Sequence, residues 1–465
     1  MATTLTLTGA QRDLLARHLF PNDGCEAVAI ALCGRAESGP HQRMVVRRIV
    51  LVPYEICRVR RADQVTWPTE FIVPFIAEAA ANGWAMIKIH GHRAYAQFSD
   101  VDDASDRALF PSLYAWLDTD KPLASAILMD DGSLFGRTVR PDGTFETLER
   151  VTVVGDDLSF YLSEQISSPV PASGQRVAQV FGQGTFDRLR KLRVAVIGCS
   201  GTGSIVIEQL ARNGVGALLL VDPDVVEEKN LNRIANATVQ DARVARSKVE
   251  VAARSIRAMG LGTEITLHAR TLFAPDVVRA VSVCDVVIGC MDTIDGRHVL
   301  NKLACFYLQP YIDLGVRIDA DGHGGVTQVC GSVHYLRPDG SSLLSRNTYS
   351  LEQVRAAAMQ RTDPVGFRRQ LEEGYIRGVQ EDRPAVIQLN SLVASIAVNE
   401  LLARLHPFRL DPNQDYAVTR VSLSHGIWEH EAEGAPCTVL ARHAGRGNVE
   451  PLIDWTELGV GARAA

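Results

Sequence analysis

"VAVIGCSGTGS", residues 194–204, is an apolar strand that runs into a glycine-rich turn and opens a helix. Gly198, Gly201 and Gly203 let the backbone turn tightly and bring N–H groups and the helix N-terminus to a phosphate. Around it, short apolar strands alternate with helical stretches: "RVAVIGC", "SIVIEQLARNG", "ALLLVD", "ARSKVEVAARSIRAMG", "EITLHA", "DVVIGC", "GRHVLNKLACFYL" and "YIDLGV". That alternation predicts a Rossmann-like α/β domain built on a doubly wound parallel sheet. The second strand ends in "LLLVDPD", which sets Asp222 nineteen residues after Gly203, placed to accept hydrogen bonds from ribose hydroxyls. NAD enzymes share this arrangement, so the loop alone does not choose the nucleotide.

The residues after Asp222 make that choice. "NLNR" supplies Asn230 and Arg233, "ARSKVE" supplies Lys248, and "VVIGCMDTIDGR" sets Asp292 just past the end of a strand. A dehydrogenase has no use for an Arg, a Lys and a lone carboxylate aimed at phosphates. An adenylyltransferase does, because cations stabilise phosphate charge and a carboxylate holds the bridging Mg²⁺. Singly, Arg233 and Lys248 read as surface cations and Asp292 as a helix cap; the ordered set reads as a site.

In this order the motifs resemble the E1-like family, the ubiquitin-activating enzymes and their bacterial ThiF/MoeB-type relatives. The resemblance spans about residues 174 to 460, through "VAVIGCSGTGS…LARNGVG…LLLVDPDVVEEKNLNR…SK…CMDTIDGR". It implies ATP and Mg²⁺, with Asp222 on the ribose, Asn230, Arg233 and Lys248 on the phosphates, and Asp292 on the magnesium. Asp224 falls in the same pocket. Arg176, in "RVAQVFGQGTFDRLRKLRV", stands where the family carries an arginine that reaches the ATP of the partner subunit, which implies a homodimer. Ser200 replaces the family's usual second glycine. The implied reaction is attack by the C-terminal glycine carboxylate of a ubiquitin-like (β-grasp) protein on the α-phosphate, giving an acyl-adenylate and pyrophosphate.

Upstream, "IKIHGHRAYAQFSDVDDASD" (87–106) sets His90 and His92 on one side of an expected strand, with Ser99 and Asp102 following as S-x-x-D. Two imidazoles and a carboxylate leave a fourth zinc position for water, the arrangement of a catalytic site. The pattern resembles the JAMM metalloprotease motif of the JAB/MPN domain, over about residues 5 to 160. By that resemblance His90, His92 and Asp102 bind Zn²⁺, Ser99 steadies the oxyanion, and Glu26 in "CEAVAIALCGR" is the general base. Two departures are Arg93 where the family usually has Pro, and six residues between His92 and Ser99 where seven is common. Fused, the halves imply a bacterial chain that matures or deconjugates a modifier and activates the same glycine.

The rest of the chain bounds this reading. At 465 residues two domains are expected: an α+β domain over 1–162, a Pro/Gly/Ser-rich linker "SEQISSPVPASGQ" (163–175), and the α/β domain over 176–465. "EAVAIALCG", "RMVVRRIVLVPY" and "AMIKIHGH" read as strands, "TEFIVPFIAEAAANG" as a helix ending at Gly83, and "PLASAILMDDGSLFGRTV" as a hairpin turning at Asp130-Asp131-Gly132. A net charge of −6 gives no reason to expect nucleic acid or an anionic membrane as partner. No apolar run is long enough to span a bilayer and "MATTLTLTGAQRD" lacks signal-peptide features, so a cytoplasmic protein with nine reduced cysteines is expected.

Bacterial E1-like chains often hold a structural zinc with two C-x-x-C pairs. Here Ser342 and Ser345 occupy the first, and Cys437 faces Leu440 in the second, so no zinc is expected in this half. Cys199, Cys284, Cys290 and Cys305 lie on core-like segments. The segment 317–390, where relatives insert an acceptor cysteine, offers only Cys330. The expected order of fates for the adenylate is hand-off to a partner's thiol, as on an E2-like protein, then an oxyester on Ser342 or Ser345 beside Arg337, Arg346 and His334, then a thioester on Cys330 or Cys437. Rival readings are a sulfur-carrier activator of cofactor biosynthesis, a non-hydrolytic scaffold with a nucleotide-binding domain, and an oxidoreductase, which the Asn230, Arg233, Lys248 and Asp292 set disfavours.

Overall fold

The strand β6 (Ala85–His92) has strands on both sides and is buried at every position, although Lys88, His90 and His92 interrupt its apolar run. The computed structural model describes residues 2–93, 95–163, 169–372 and 386–447. The chain divides into two units, Met1–Ser167 with Phe306–Leu308 and His443–Asn448, and Ser168–Cys305 with Gln309–Arg442.

The first unit runs β1 (Ala2–Thr8), α1 (Gly9–Leu19), β2 (Val28–Ser38), β3 (His41–Leu51), a small hairpin of β4 (Val59–Arg60) and β5 (Val65–Thr66), α2 (Val73–Asn82), β6 (Ala85–His92), α3 (Asp100–Leu117), β7 (Leu123–Met129), β8 (Leu134–Val139), β9 (Phe145–Thr147), β10 (Arg150–Val154) and β11 (Leu158–Leu162). Nine strands form one sheet in the order β11-β10-β1-β3-β2-β6-β7-β8-β9. Gly83 ends α2 with φ 63°, and the expected turn at 130–132 joins β7 to β8. Two helices went unread in the sequence. α1 opens on a capping box between Thr8 and Gln11. α3 opens on one between Ser99 and Asp102, with Asp100, Asp102 and Asp103 in its first turn, where carboxylates favour the helix dipole.

The second unit runs α4 (Gln175–Phe181), α5 (Gln183–Lys191), β12 (Arg193–Ile197), α6 (Gly201–Arg212), β13 (Ala217–Val221), α7 (Val239–Arg243), α8 (Lys248–Met259), β14 (Glu264–His268), α9 (Pro275–Ser282), β15 (Val286–Gly289), α10 (Ile294–Phe306), β16 (Tyr311–Ala320), β17 (Val326–Leu336), α11 (Leu351–Thr362), α12 (Pro364–Glu372), α13 (Ile387–Leu405), β18 (Val418–Ser422) and β19 (Ile427–Glu431). The sheet order is β14-β13-β12-β15-β16-β17-β18-β19. The expected parallel sheet holds only from β14 to β16; β16 through β19 pair antiparallel, so the sheet is mixed. The five residues 321–325 between β16 and β17 are long enough for a hairpin and too short for a parallel crossover. Of the expected linker, 164–168 lies outside the described residues, and Gln175 already begins α4.

The chain leaves β12 on one side to β13 and on the other to β15. That is the switch point at which open α/β sheets bind ligands, beyond the C-terminal ends of the strands.

Candidate functional sites

At the switch point the glycine turn is closed by backbone alone. Gly198 takes φ 91°, and a Cβ there would lie 2.6 Å from the Cys290 carbonyl oxygen at the end of β15. A Cβ on Gly203 would lie 1.8 Å from the Gly198 carbonyl oxygen. Ser200, at the cap of α6, makes no side-chain capping bond, so the N–H groups of the first turn remain to meet a ligand. Backbone N–H groups at such a helix start can meet phosphate oxygens.

Asp222 follows β13 and is 4% exposed. Its Oδ2 accepts the Cys199 N–H of the glycine turn at 2.7 Å, and its Oδ1 accepts the Asp224 N–H at 2.9 Å. Burial raises its carboxyl, against the lowering effect of Lys248 and those two N–H groups. Lys248 is the first residue of α8, buried, with Nζ 2.8 Å from Oδ2 of the exposed Asp224. Asn230 is buried and its Oδ1 accepts the Glu227 N–H at 3.1 Å. Arg233 is half-buried, donates to the Lys229 carbonyl and to Asn232 Oδ1, and forms no ion pair among the described residues. Asp292, between β15 and α10, is exposed and likewise without an ion pair among them. Arg176 is exposed on α4, and its Nη1 donates to Gln179 Oε1 at 3.0 Å. The sequence reading missed Asn390 of α13: a Cβ on Gly201 would lie 2.2 Å from its Nδ2 and 3.4 Å from Arg233 Cδ.

In the first unit the strand places His90 and His92 on one face, and α3 swings Asp102 against them. Their ligand atoms lie within 4.8 Å of one another. The two Nε2 atoms are 3.1 Å apart; His90 Nε2 is 2.8 Å from Asp102 Oδ1, and His92 Nε2 is 3.5 Å from Asp102 Oδ2. Ligands of a tetrahedral zinc stand about 3.3 Å apart, given Zn–N bonds near 2.05 Å. The residues therefore fit the ion. His92 Nδ1 lies 3.2 Å from the Tyr95 carbonyl oxygen, which leaves the Nε2 lone pair facing inward.

Burial would raise Asp102, but hydrogen bonds from both imidazoles and the Ser99 N–H outweigh it and hold the carboxyl well below its usual range. Burial lowers His90, with Asp102 opposing; for His92 the Asp102 contacts prevail over burial and raise it. Ser99 Oγ donates to Asp102 Oδ2 at 2.7 Å and accepts the Asp102 N–H at 3.2 Å, so this hydroxyl both caps α3 and fixes the carboxylate. Burial pushes Glu26 up to about 7, with the charges of His92 and Asp102 acting on it in opposite directions. Arg93 is exposed, its guanidinium 5.4 Å from the centre of the Phe20 ring.

The turns that replace the C-x-x-C pairs close on themselves. The Ser342 N–H donates to Ser345 Oγ at 2.9 Å and the Ser345 N–H to Ser342 Oγ at 3.1 Å, while the Leu440 N–H donates to Cys437 Sγ. Cys305, Cys437 and Leu440 pack as an apolar cluster. Ser342 is buried and Ser345 exposed, and Arg346 donates to Ser341, to the Tyr335 and Ala417 carbonyls and to Glu433. His334 is buried on β17. Cys199, Cys284 and Cys305 are buried; Cys290, at the mouth of β15, is only half so. Cys330 is half-buried and raised by burial. Residues 373–385 of the acceptor segment lie outside the described residues. Among the described residues no helix is long and apolar enough to cross a membrane.

The profile of the ThiF family matches residues 173–430. The SAMP-activating enzyme E1 of Haloferax volcanii is 33% identical over 159 residues, 34% of this chain and 53% of that protein. Ubiquitin-like modifier-activating enzyme 5 of Caenorhabditis elegans is 29% identical over 189 residues, 38% of this chain and 42% of its own. The chain thus spans about half of these relatives' length. Among solved structures, E. coli MccB with MccA-N7isoASN aligns with a TM-score of 0.44 and 17% identity, over 55% of this chain and 69% of that one.

Proposed function

The chain belongs to the ThiF family, and from that premise we propose that it uses ATP and Mg²⁺ to adenylate the C-terminal glycine of a ubiquitin-like β-grasp protein. What supports the reading is a helix N-terminus without a side-chain cap at the switch point, beside the Asp222 carboxylate that accepts from the glycine turn, with the buried Lys248 against Asp224 and an exposed Asp292 following β15. The glycine turn and α6 seat the triphosphate, Asp222 meets the ribose, and Arg233 and Lys248 place positive charge where charge builds on the phosphates. Asp292 would hold magnesium, which supplies charge neutralisation on the phosphates. A carboxylate oxygen of the modifier forms a bond to the α-phosphorus, the bond to the bridging oxygen breaks, and pyrophosphate leaves. Arg176 on the exposed α4 would serve a second copy's site in a homodimer.

The test is ATP–pyrophosphate exchange dependent on a mature β-grasp partner. Lys248→Ala or Asp292→Ala should lower it by about 10²-fold, since each removes charge stabilisation at the transferring phosphate. NAD binding without exchange under any partner would sink the assignment. An E2-like protein that accepts the adenylate's acyl group favours a modifier; transfer to a sulfur donor favours a sulfur carrier.

The His90, His92 and Asp102 geometry supports a second proposal, that the first unit is of JAB/MPN type and carries out zinc-dependent cleavage after the same glycine. Zinc there would activate a water for attack on the carbonyl. Glu26, with a carboxyl near neutrality, would take that water's proton and return it to the leaving amine. His92→Ala should lose the metal, whereas Glu26→Ala should keep it and lose cleavage of a modifier fusion. Protein purified without chelator yet free of zinc would point to the scaffold reading.

A further inference from the structure

α13 buries an apolar stripe that includes Leu389, Val393, Ala394 and Ala397, yet carries Asn390 within it. Asn390 is 2% exposed, and its Nδ2 has no hydrogen-bond partner among the described residues. A buried amide without a partner opposes folding, so its place calls for a state in which a partner arrives. The amide presses against the first residue of α6, where a Cβ on Gly201 would lie 2.2 Å from Nδ2 and 3.4 Å from Arg233 Cδ. The absence of a side chain at Gly201 thus lets Asn390 and Arg233 approach one helix end, and Ser200 provides that end with no side-chain cap.

We propose that Asn390 is a further nucleotide-binding residue, its amide N–H donating to a phosphate oxygen seated at the α6 N-terminus beside Arg233. This rests on the adenylation reading and adds to it a contact from a helix that no nucleotide motif marks. A neutral donor serves here because the phosphates bring the charge; a carboxylate in its place would repel them.

The full chain tests it. Thermal unfolding and direct ATP–Mg²⁺ titration are run on the wild type, Asn390→Leu and Asn390→Asp. Without nucleotide, Asn390→Leu should unfold at or above the wild-type temperature, because it exchanges an unpaired amide for an apolar group of similar size. With ATP–Mg²⁺ its stabilisation should shrink and its affinity fall about tenfold or more. Asn390→Asp should bind still more weakly. An Asn390→Leu chain that loses stability without nucleotide but keeps wild-type ATP affinity makes the amide structural and overturns the proposal. Equal affinity in all three chains overturns it as well. A wild type that ATP–Mg²⁺ does not stabilise overturns the adenylation reading, and this contact with it.

Discussion

Gly203 shows how little room single residues leave at the nucleotide turn. A Cβ there would overlap the Gly198 carbonyl, 1.8 Å away, and the obstacle is backbone that cannot step aside. Gly203→Ala should therefore abolish ATP-dependent stabilisation in thermal unfolding; a variant that still gains as many degrees as the wild type would show that the turn can reshape. His298 makes a different residue-scale claim. Burial, aided by the Lys302 ammonium, pushes its imidazole down to about 3 from an ordinary 6.5, and its Nδ1 lies 3.1 Å from the Tyr349 hydroxyl. The folded chain holds it neutral, while the unfolded chain takes a proton as pH falls through 6.5. Its contribution is thus complete above 6.5 and is lost progressively as pH falls toward 3. Relative to His298→Asn, the wild type should lose about 1 kcal/mol between pH 6.5 and 5.5 in urea unfolding. A gap between the two chains that stays constant over that interval contradicts the assignment.

At the scale of elements, α3 decides whether the two histidines have a carboxylate. Its inner face carries Asp106, one turn beyond Asp102 and wholly buried between Lys88 of β6 and Arg137 of β8. Arg137 also reaches Asp103 and lies between the rings of Phe98 and Phe145, 3.8 and 3.7 Å from their centres. Removing one partner from such a group leaves buried charge uncompensated, so Asp106→Ala should cost about 3–5 kcal/mol in denaturant unfolding. The exposed Arg48–Glu78 pair is the contrast: Glu78→Ala should change stability by less than about 1 kcal/mol. Similar losses for the two variants would show that α3 is not anchored this way. This helix was hard to read because its sequence displays acidic residues and Pro111, and burial of Asp106 is bearable only once Lys88 and Arg137 arrive from distant strands. The β16–β17 hairpin escaped for a related reason. "YIDLGV" is apolar enough for a parallel strand, and only its antiparallel partner reveals the other half of the sheet.

For the whole molecule, the two proposed sites fall on different units and predict separable losses. His92→Ala should remove zinc and leave ATP–pyrophosphate exchange near wild type, and Lys248→Ala should do the reverse; loss of both readouts in either variant would contradict independent sites. The α/β class and the glycine turn were legible in the sequence, because strand–turn–helix chemistry is local and a Gly-rich turn between a strand and a helix shows in the residues themselves. The alternation of His90 and His92 was legible for the same reason, since a strand repeats every two residues. Tertiary structure alone decided the rest: that Asp106 is buried between Lys88 and Arg137, that Lys248 rests on Asp224, that Ser342 and Ser345 close a turn on each other, and that Asn390 comes to Gly201. Each of these depends on which surfaces pack together, and packing between elements far apart in the chain leaves no periodicity or spacing from which it can be read.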